Sequence, residues 1–343
     1  MRLGINIGYW GSSAGLDMDL VLEAERLGYD SVWAAEAWGS DAVTILSWIA
    51  ARTEKIRVGA AILQMPARTP GMTAMTSVTL NELSGGRFVC GLGLSGPQVV
   101  EGWHGLPYGK PLGKTREYVS IVRMMVAREH PARFQGEHYQ LPYRGEDATG
   151  LGKPLKIMTH PSHELPIFLA SIGPKNVRLT AEIADGWLPV FYSPERAGDV
   201  FGPLLEEGFA ASGEDAKAER FAVVPSVSAI VTDDVERARN KIKPHIALYV
   251  GGMGAKGRNF YNNLAIRYGY EAEAEQIQDL YLDGKRKEAT MAVPDALVDE
   301  LSLVGTPEMI RDRLDVWRDA GVTDLVLSAP DLTTLRTLAG LAL

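Results

Sequence analysis

The sequence predicts an α/β protein folded as a (β/α)8 TIM barrel with insertions on its C-terminal face, and two patterns support this. Short runs rich in valine, isoleucine and leucine alternate with longer amphipathic stretches along the 343 residues. The apolar runs do not alternate regularly with polar residues, as expected for parallel strands buried on both faces. Eight repeats of strand followed by helix favour a closed barrel over an open doubly wound sheet.

The eight predicted strands each precede a helical stretch. They cover residues 3–7, 31–34, 56–62, 88–92, 167–170, 186–190, 222–230 and 323–327. The first helix, predicted over 17–27, has Leu20, Val21 and Ala24 at helical spacing and ends before Gly28, which suits a C-cap. Further helices are predicted over 115–127, 177–184, 259–268, 272–282 and 307–320.

Two segments, at about 95–166 and about 250–304, interrupt the alternation within what is predicted to be one domain, 1–343. Insertions in such barrels tend to lie on the loops that build the active face. The first begins with 96–113, which is too rich in glycine and proline for regular structure to be expected. Farther on, Gly136 and Glu137 predict a hairpin turn between short strands.

Composition limits the kinds of partner. A net charge of −8 and a pI near 5.4 argue against nucleic acid, which leaves a small-molecule substrate as the expected partner. There is no apolar run near the length of a membrane span and no signal-peptide pattern, so a cytoplasmic protein is expected. The single cysteine, Cys90, lies in an apolar run and is expected to be buried. His160 and His163 flank Pro161, and no metal site is predicted.

Glycines follow the fourth predicted strand. Residues 91–96 match the dinucleotide fingerprint G-x-G-x-x-G, but Pro97 and the glycines and prolines after it argue against the helix that a Rossmann unit requires. At the end of a barrel strand, glycines let the backbone approach a planar ring or a phosphate closely. A plain glycine turn is the alternative interpretation.

The segment from Ser171 through Gly173 and Pro174 leaves the fifth strand and enters a helix. Such a segment can form an anion-binding site, called here the phosphate seat. It offers free backbone N–H groups, a hydroxyl and a glycine beside the positive end of a helix. The same residues could instead only cap the helix.

Two residues are candidates for acid–base chemistry. Glu36 follows the second strand among aromatic residues, where a carboxylate would project into the barrel mouth and exchange protons. Its alternative role is a loop carboxylate near a helix that Ser40 would cap. His104, between Trp103 and Gly105, is the other catalytic candidate, with a surface-loop role as the alternative.

Five ordered segments carry a family resemblance. They are Ser31-Val-Trp-x-x-Glu36, Val58-Gly-Ala-Ala-Ile62, Gly86-Arg-Phe-x-x-Gly-Leu-Gly93, Gly136-Glu-His-Tyr139 and Ile183-Ala-Asp-Gly-Trp187. With them the chain resembles the luciferase-like superfamily and, within it, the coenzyme F420-dependent oxidoreductases. It is similar to the methylenetetrahydromethanopterin reductase and F420-dependent glucose-6-phosphate dehydrogenase families.

The resemblance implies a bulge with a non-proline cis peptide near Ala61–Ile62 that supports the deazaflavin ring. It implies that Gly93 to Ser95 meet the ring or ribityl chain and that Ser171 to Pro174 hold the phosphate. A polyglutamate tail would need cations. The implied cofactor-binding residues are Glu36, Ala61, Ile62, Gln64, Gly93, Leu94, Ser95, Ser171, Ile172, Gly173, Pro174, Lys256 and Arg258. Family precedent also implies a homodimer.

Departures from the sequences of the related families narrow the range of expected substrates. Ala37 and Pro97 stand where the glucose-6-phosphate dehydrogenases have a histidine and a glutamate, and Asn6 stands near the reductases' strand-one glutamate. Neither family's substrate is therefore expected. A moderately apolar substrate is expected, walled by aromatic residues, namely Tyr9 or Trp10, Trp38 and Trp103. The expected reaction is hydride transfer with F420; the alternatives are an FMN-dependent monooxygenase and a non-catalytic flavin-binding barrel.

Overall fold

A computed structural model describes residues 1–8, 10, 12, 15–328 and 330–343 of the chain. The strands are β1 Arg2–Asn6, β2 Ser31–Ala34, β3 Arg57–Ala60, β4 Leu63–Gln64, β5 Phe88–Gly93, β6 Phe134–Gln135, β7 Gln140–Leu141, β8 Ile167–Leu169, β9 Gly186–Trp187, β10 Ala222–Val223, β11 Ser226–Val231, β12 Ser302–Gly305 and β13 Asp324–Ser328.

The helices alternate with these strands. They are α1 Met18–Leu27, α2 Ala42–Ala50, α3 Pro70–Leu83, α4 Pro97–Gly102, α5 Pro111–Ala127, α6 Pro174–Ile183, α7 Ala197–Ser212, α8 Lys217–Arg220, α9 Val235–Ala247, α10 Phe260–Arg267, α11 Glu271–Leu282, α12 Arg286–Met291, α13 Asp295–Glu300, α14 Pro307–Asp319 and α15 Leu332–Ala342. A 3₁₀ helix covers Met65–Ala67 and a π-helix covers Leu248–Gly252. None of the helices in the described part of the chain is both long and apolar enough to cross a bilayer.

Parallel pairing, completed by the continuous chain from β10 to β11, closes the strands into a ring, which confirms the predicted barrel. The neighbours run in the order β1, β2, β3, β5, β8 and β9. β10 then pairs with β9, β11 pairs with β13, and β13 returns to β1. The predicted seventh strand is thus found at the expected place in the barrel, but it is not one continuous strand. It divides into β10 and β11 at Pro225, which has no N–H for the ladder.

The third strand is also interrupted. β3 ends at Ala60, the Ala61–Ile62 peptide is cis, and the chain resumes as β4, in which Leu63 pairs with Leu92 of β5. The cis peptide that the family resemblance implied is therefore confirmed at the expected position.

Two expectations were wrong. β12 was not predicted; it pairs in parallel with the outer edge of β11, where Ser228 lies opposite Ser302. Its short apolar run follows the apolar residues of α13 directly, so no turn signal separates strand from helix in the sequence. The glycine- and proline-rich segment at 96–113 is partly regular, because Pro97 starts α4 at a position where its missing N–H has no helical partner.

Several predictions from local sequence signals are confirmed, whereas the predicted strand at 186–190 is shorter and covers only Gly186–Trp187. Asp17 caps α1 by accepting a hydrogen bond from the Leu20 N–H, and Gly28 ends that helix with a φ of 90°. The predicted hairpin is confirmed, since Phe134 of β6 pairs with Leu141 of β7. Cys90 is fully buried in the core, as expected.

Candidate functional site at the carboxyl ends of the strands

Four neighbouring parallel strands bring the predicted site residues to one edge of the barrel. Glu36 follows β2, the cis peptide follows β3, Gly93 ends β5 and Ser171 follows β8. Because β2, β3, β5 and β8 are successive neighbours and all parallel, these positions lie side by side. The Glu36 N–H also donates to the Ile62 carbonyl, which ties the end of β2 to the bulge.

The Glu36 carboxylate is buried and fully engaged. Its side chain is 7% exposed. Oε1 accepts the Gln64 backbone N–H at 2.9 Å, and Oε2 accepts Arg68 Nη2 at 3.0 Å. Both oxygens of this carboxylate therefore accept hydrogen bonds from the protein itself. These contacts tie the end of β2 to β4 and to Arg68 beyond the 3₁₀ helix.

Arg68 bridges two carboxylates, those of Glu36 and Asp41. Burial opposes its charge, but these two partners raise the pKa of the guanidinium above its ordinary value. Asp41 is the N-cap of α2, accepting the Thr44 N–H at 2.7 Å, so the alternative in which Ser40 caps this helix is wrong. Ser40 Oγ instead accepts the Trp10 N–H at 2.9 Å.

The side chain of Gln64 connects two loops. Its Nε2 donates to the Ala37 carbonyl at 2.7 Å, and its Oε1 lies 2.8 Å from His104 Nε2. Since a carbonyl oxygen only accepts, the amide nitrogen faces Ala37 and the amide oxygen faces His104. His104 therefore carries a proton on Nε2 and donates it to Gln64, which leaves Nδ1 available for proton exchange.

Two glycines of β5 face the bulge at close range. A Cβ on Gly93 would lie 2.8 Å from Cγ1 of Ile62, and a Cβ on Gly91 would lie 1.8 Å from the Ala60 carbonyl oxygen. Leu94 and Ser95 follow, with Ser95 in the left-handed region at a φ of 58°. The bulge and β5 can therefore lie this close together only because both of these β5 positions are glycine, and together they form one continuous surface.

The other end of the site is the start of α6. Gly173 is its N-cap residue and has no side chain that could cap the helix. Ser171 Oγ lies 2.9 Å from Thr180 Oγ1. Arg267 Nη2 donates to the Ile172 carbonyl at 3.3 Å. Buried Asn176 Oδ1 has no donor within the described residues. A helix start, an arginine and an acceptor lacking a partner suit a ligand that has both phosphate and hydroxyl groups.

Comparison with known proteins identifies the family. The family model described as luciferase-like monooxygenase matches residues 13–324. The chain belongs to the luciferase-like family. This confirms the resemblance that the five ordered sequence segments indicated.

Individual members of the luciferase-like family are similar over nearly the whole chain. A Mycobacterium tuberculosis protein named as a coenzyme F420-dependent oxidoreductase is 47% identical, covering 99% of each chain. The 5,10-methylenetetrahydromethanopterin reductase of Archaeoglobus fulgidus is 28% identical, covering 90% of this chain and 87% of its own. The solved F420-dependent tetrahydromethanopterin reductase of Methanopyrus kandleri superposes with a TM-score of 0.79 at 22% identity, covering 99% and 98%.

Lys256 and Arg258, the two cations expected to bind the polyglutamate tail of the cofactor, lie in the loop before α10. Lys256 is exposed and pairs with Asp279, and Arg258 is exposed. Phe260, two residues farther on, approaches Gly173, where a Cβ would lie 3.0 Å from the ring. The loop thus ends beside the start of α6, but the charge of Lys256 is already matched by an acid.

The aromatic residues expected on the substrate side of this luciferase-like site differ in exposure, and two arginines of the site were not predicted. Trp38 and Trp103 are exposed, Trp10 is partly buried, and Tyr9 lies outside the described residues. Arg68 was missed in the sequence because its partners lie 27 and 32 residues away. Arg267 was missed for the same reason, since it reaches Ile172 from α10.

Proposed function

We propose that this luciferase-like protein is a coenzyme F420-dependent oxidoreductase that transfers a hydride between the deazaflavin and an organic substrate. The observation that carries the proposal is the surface formed by Gly93 and the bulge at Ala61–Ile62 between β3 and β4, which lies one strand away from the proposed phosphate seat at the start of α6. The F420-dependent name of the 47% identical relative supports this choice of cofactor.

The residues divide into those that hold the ring and those that hold the phosphate. Ala61, Ile62, Gly93, Leu94 and Ser95 support the ring and its side chain. The residues Ser171, Ile172, Gly173 and Pro174 hold the phosphate, assisted by Arg267. Lys256 and Arg258 stay candidates for contact with the tail. Bound F420 supplies or accepts the hydride.

Proton handling falls to His104 in this proposal. Gln64 orients the imidazole and fixes its tautomer, so Nδ1 can exchange a proton with the substrate. Glu36 holds the Gln64 backbone and Arg68 in place and takes no part in proton transfer. An oriented acid–base group of this kind contributes on the order of 10²- to 10⁴-fold in rate.

The two alternatives predicted from the sequence are less well supported. An FMN-dependent monooxygenase would share the fold, but the 47% identical relative is named for F420. A non-catalytic barrel gives no reason for an oriented histidine at the site.

Titration of the purified protein with F420 and with FMN, monitored by tryptophan fluorescence, tests the proposal. We expect saturable binding of F420 in the micromolar range and much weaker binding of FMN. Tight FMN binding without a response to F420 would overturn the choice of cofactor, and no response to either would favour the non-catalytic barrel.

A matched pair of variants tests the phosphate seat. Arg267→Gln should weaken F420 binding about tenfold, because a charge-assisted hydrogen bond contributes about 1.5 kcal/mol. Binding of the deazaflavin that lacks the phosphate should be unchanged. Arg52→Gln, at an exposed position just after α2, is the control. Equal loss for both ligands would mean that Arg267 acts only through the fold.

The expected homodimer and cytoplasmic location stay predictions. Light scattering coupled to size-exclusion chromatography measures the first, and cell fractionation measures the second. A monomer of about the 37.3 kDa chain mass would contradict the predicted dimer.

A further inference from the structure

A cavity of about 290 Å³ lies beside the proposed ring seat. Its inner wall includes Met65 and Leu94, which directly follow Gln64 and Gly93 of the seat. Val100 of α4 and Leu106 of the following loop add apolar walls. The cavity is therefore next to the site, and its walls suit the apolar part of a ligand.

The titratable side chains among the described lining residues are phenols and cations, and each of them can donate a hydrogen bond. Tyr108 and Tyr139 line it, and burial raises the pKa of both phenols, so both are protonated at neutral pH. Arg68 and Lys114 are its two cations, and none of the described residues that line it is acidic.

The two cations differ in how their charge is balanced. Arg68 pairs with both Glu36 and Asp41. Among the described residues, the half-buried Lys114 ammonium has two acceptors, the carbonyls of Pro107, at 3.0 Å, and Tyr108, at 3.2 Å. Across the described residues no carboxylate lies within ion-pairing distance of Lys114. One of its three N–H donors is left over, and its full charge is unmatched.

We propose that this cavity binds a carboxylate on the substrate, with the carboxylate against Lys114 and an apolar body against Met65, Leu94 and Leu106. The substrate class is thus an organic acid with an apolar or aromatic body. An unmatched ammonium at the edge of an apolar cavity attracts an anion because partial burial strengthens the interaction. This inference rests on the proposed function for its reaction but not for its binding test.

The cofactor's own glutamates are the other possible source of a carboxylate. The proposed phosphate seat follows β8, whereas the cavity is lined by the 3₁₀ helix after β4 and by Leu94 after β5, and no residue of the phosphate seat lines it. This arrangement places the phosphate end away from Lys114, so the substrate is the source that the topology favours.

Calorimetric titration with 3-phenylpropanoate and with 3-phenylpropanamide tests the proposal, because the two probes share a shape and differ in charge. We expect the wild-type protein to bind the acid at least about tenfold more tightly than the amide, which corresponds to about 1.4 kcal/mol. The preference should persist when the protein is saturated with F420. Equal binding of the two probes, or no binding of either, would overturn the proposal.

Three variants locate the binding. Lys114→Met and Lys114→Gln should abolish the preference for the acid while leaving amide binding unchanged, and Lys114→Gln keeps a donor for the loop carbonyls. Leu106→Trp should weaken binding of both probes by filling the cavity. Lys287→Met, on the exposed face of α12, is the matched control. A preference that survives in both Lys114 variants would refute the role of this residue.

The cofactor experiments separate this proposal from the proposed function. Displacement of the acid by F420 would assign the Lys114 site to the cofactor tail and refute a substrate site. If F420 fails to bind while the acid preference and its loss in the Lys114 variants persist, the proposed function fails and the acid site stands.

Discussion

His104 Nε2 donates a hydrogen bond to Gln64 Oε1 at 2.8 Å, which links the first insertion to the end of β4. Gln64 has no freedom to turn its amide, because Nε2 is held by the Ala37 carbonyl. The imidazole proton is therefore fixed on one nitrogen by a residue that is 40 positions away in the sequence.

Replacing Gln64 with glutamate should change the titration of His104. A carboxylate beside the imidazole favours its charged form, so Gln64→Glu should raise the pKa of His104 relative to that in the wild-type protein. Proton NMR across a pH series measures this pKa, and His104→Asn identifies the signal. Gln135→Glu on the exposed hairpin is the control. An unchanged pKa in Gln64→Glu would contradict the hydrogen bond.

Removing the charge of Glu36 should destabilise the protein. Glu36→Gln loses the ion pair with Arg68 in a buried setting, so the free energy of unfolding should fall by about 1–3 kcal/mol. Urea denaturation measures the loss. Glu54→Gln, at an exposed position, should change the free energy by less than about 0.5 kcal/mol. Equal effects in both variants would argue against the organising role of Glu36.

The ion pair between Asp41 and Arg68 should make stability depend on pH. Partial burial opposes ionisation of Asp41, but hydrogen bonds from Thr44 and Arg68 hold its pKa below the usual value. A lowered folded-state pKa contributes stability above the unfolded value of about 3.9, and this stability is lost as pH falls through the folded pKa. The difference in unfolding free energy between wild type and Asp41→Asn should therefore shrink in acid. A constant difference from pH 7 to pH 2 would refute this.

Gly91 and Gly93 should respond differently to alanine. In Gly91→Ala the new Cβ meets the Ala60 carbonyl oxygen, which cannot move without the strand, so a loss of about 3 kcal/mol or more is expected. In Gly93→Ala the Cβ meets the Ile62 side chain, which can move into the proposed ring seat. This variant should stay folded but bind F420 weakly. Thermal melts and F420 titration measure the two effects, and unimpaired F420 binding by Gly93→Ala would argue against the seat.

Cys90 should be chemically inert in the native protein. Burial raises the pKa of its thiol to about 11, although Ser77 donates a hydrogen bond to the sulfur. Only about 0.1% would be thiolate at pH 8, and the side chain is inaccessible. An aromatic disulfide reagent at pH 8 should label the single thiol only after denaturation. Rapid labelling of the folded protein would contradict this.

The sequence by itself determined the barrel, its hairpin and many helix ends, because these depend on local patterns. Strand and helix periods report burial along one element, and Asp17 and Gly28 act on neighbouring backbone groups. The position of the cis peptide could also be anticipated, but only because the family resemblance supplied it.

Only the tertiary structure decided which side chains meet. Glu36 was expected to be catalytic, yet Arg68 and the Gln64 backbone occupy its oxygens. Lys114 gave no sequence signal, because the importance of its charge depends on there being no acid within ion-pairing distance of it among the described residues. The sequence specifies the elements through local periodicity. Pairing, burial and charge balance at the site arise only when distant loops converge at the strand ends.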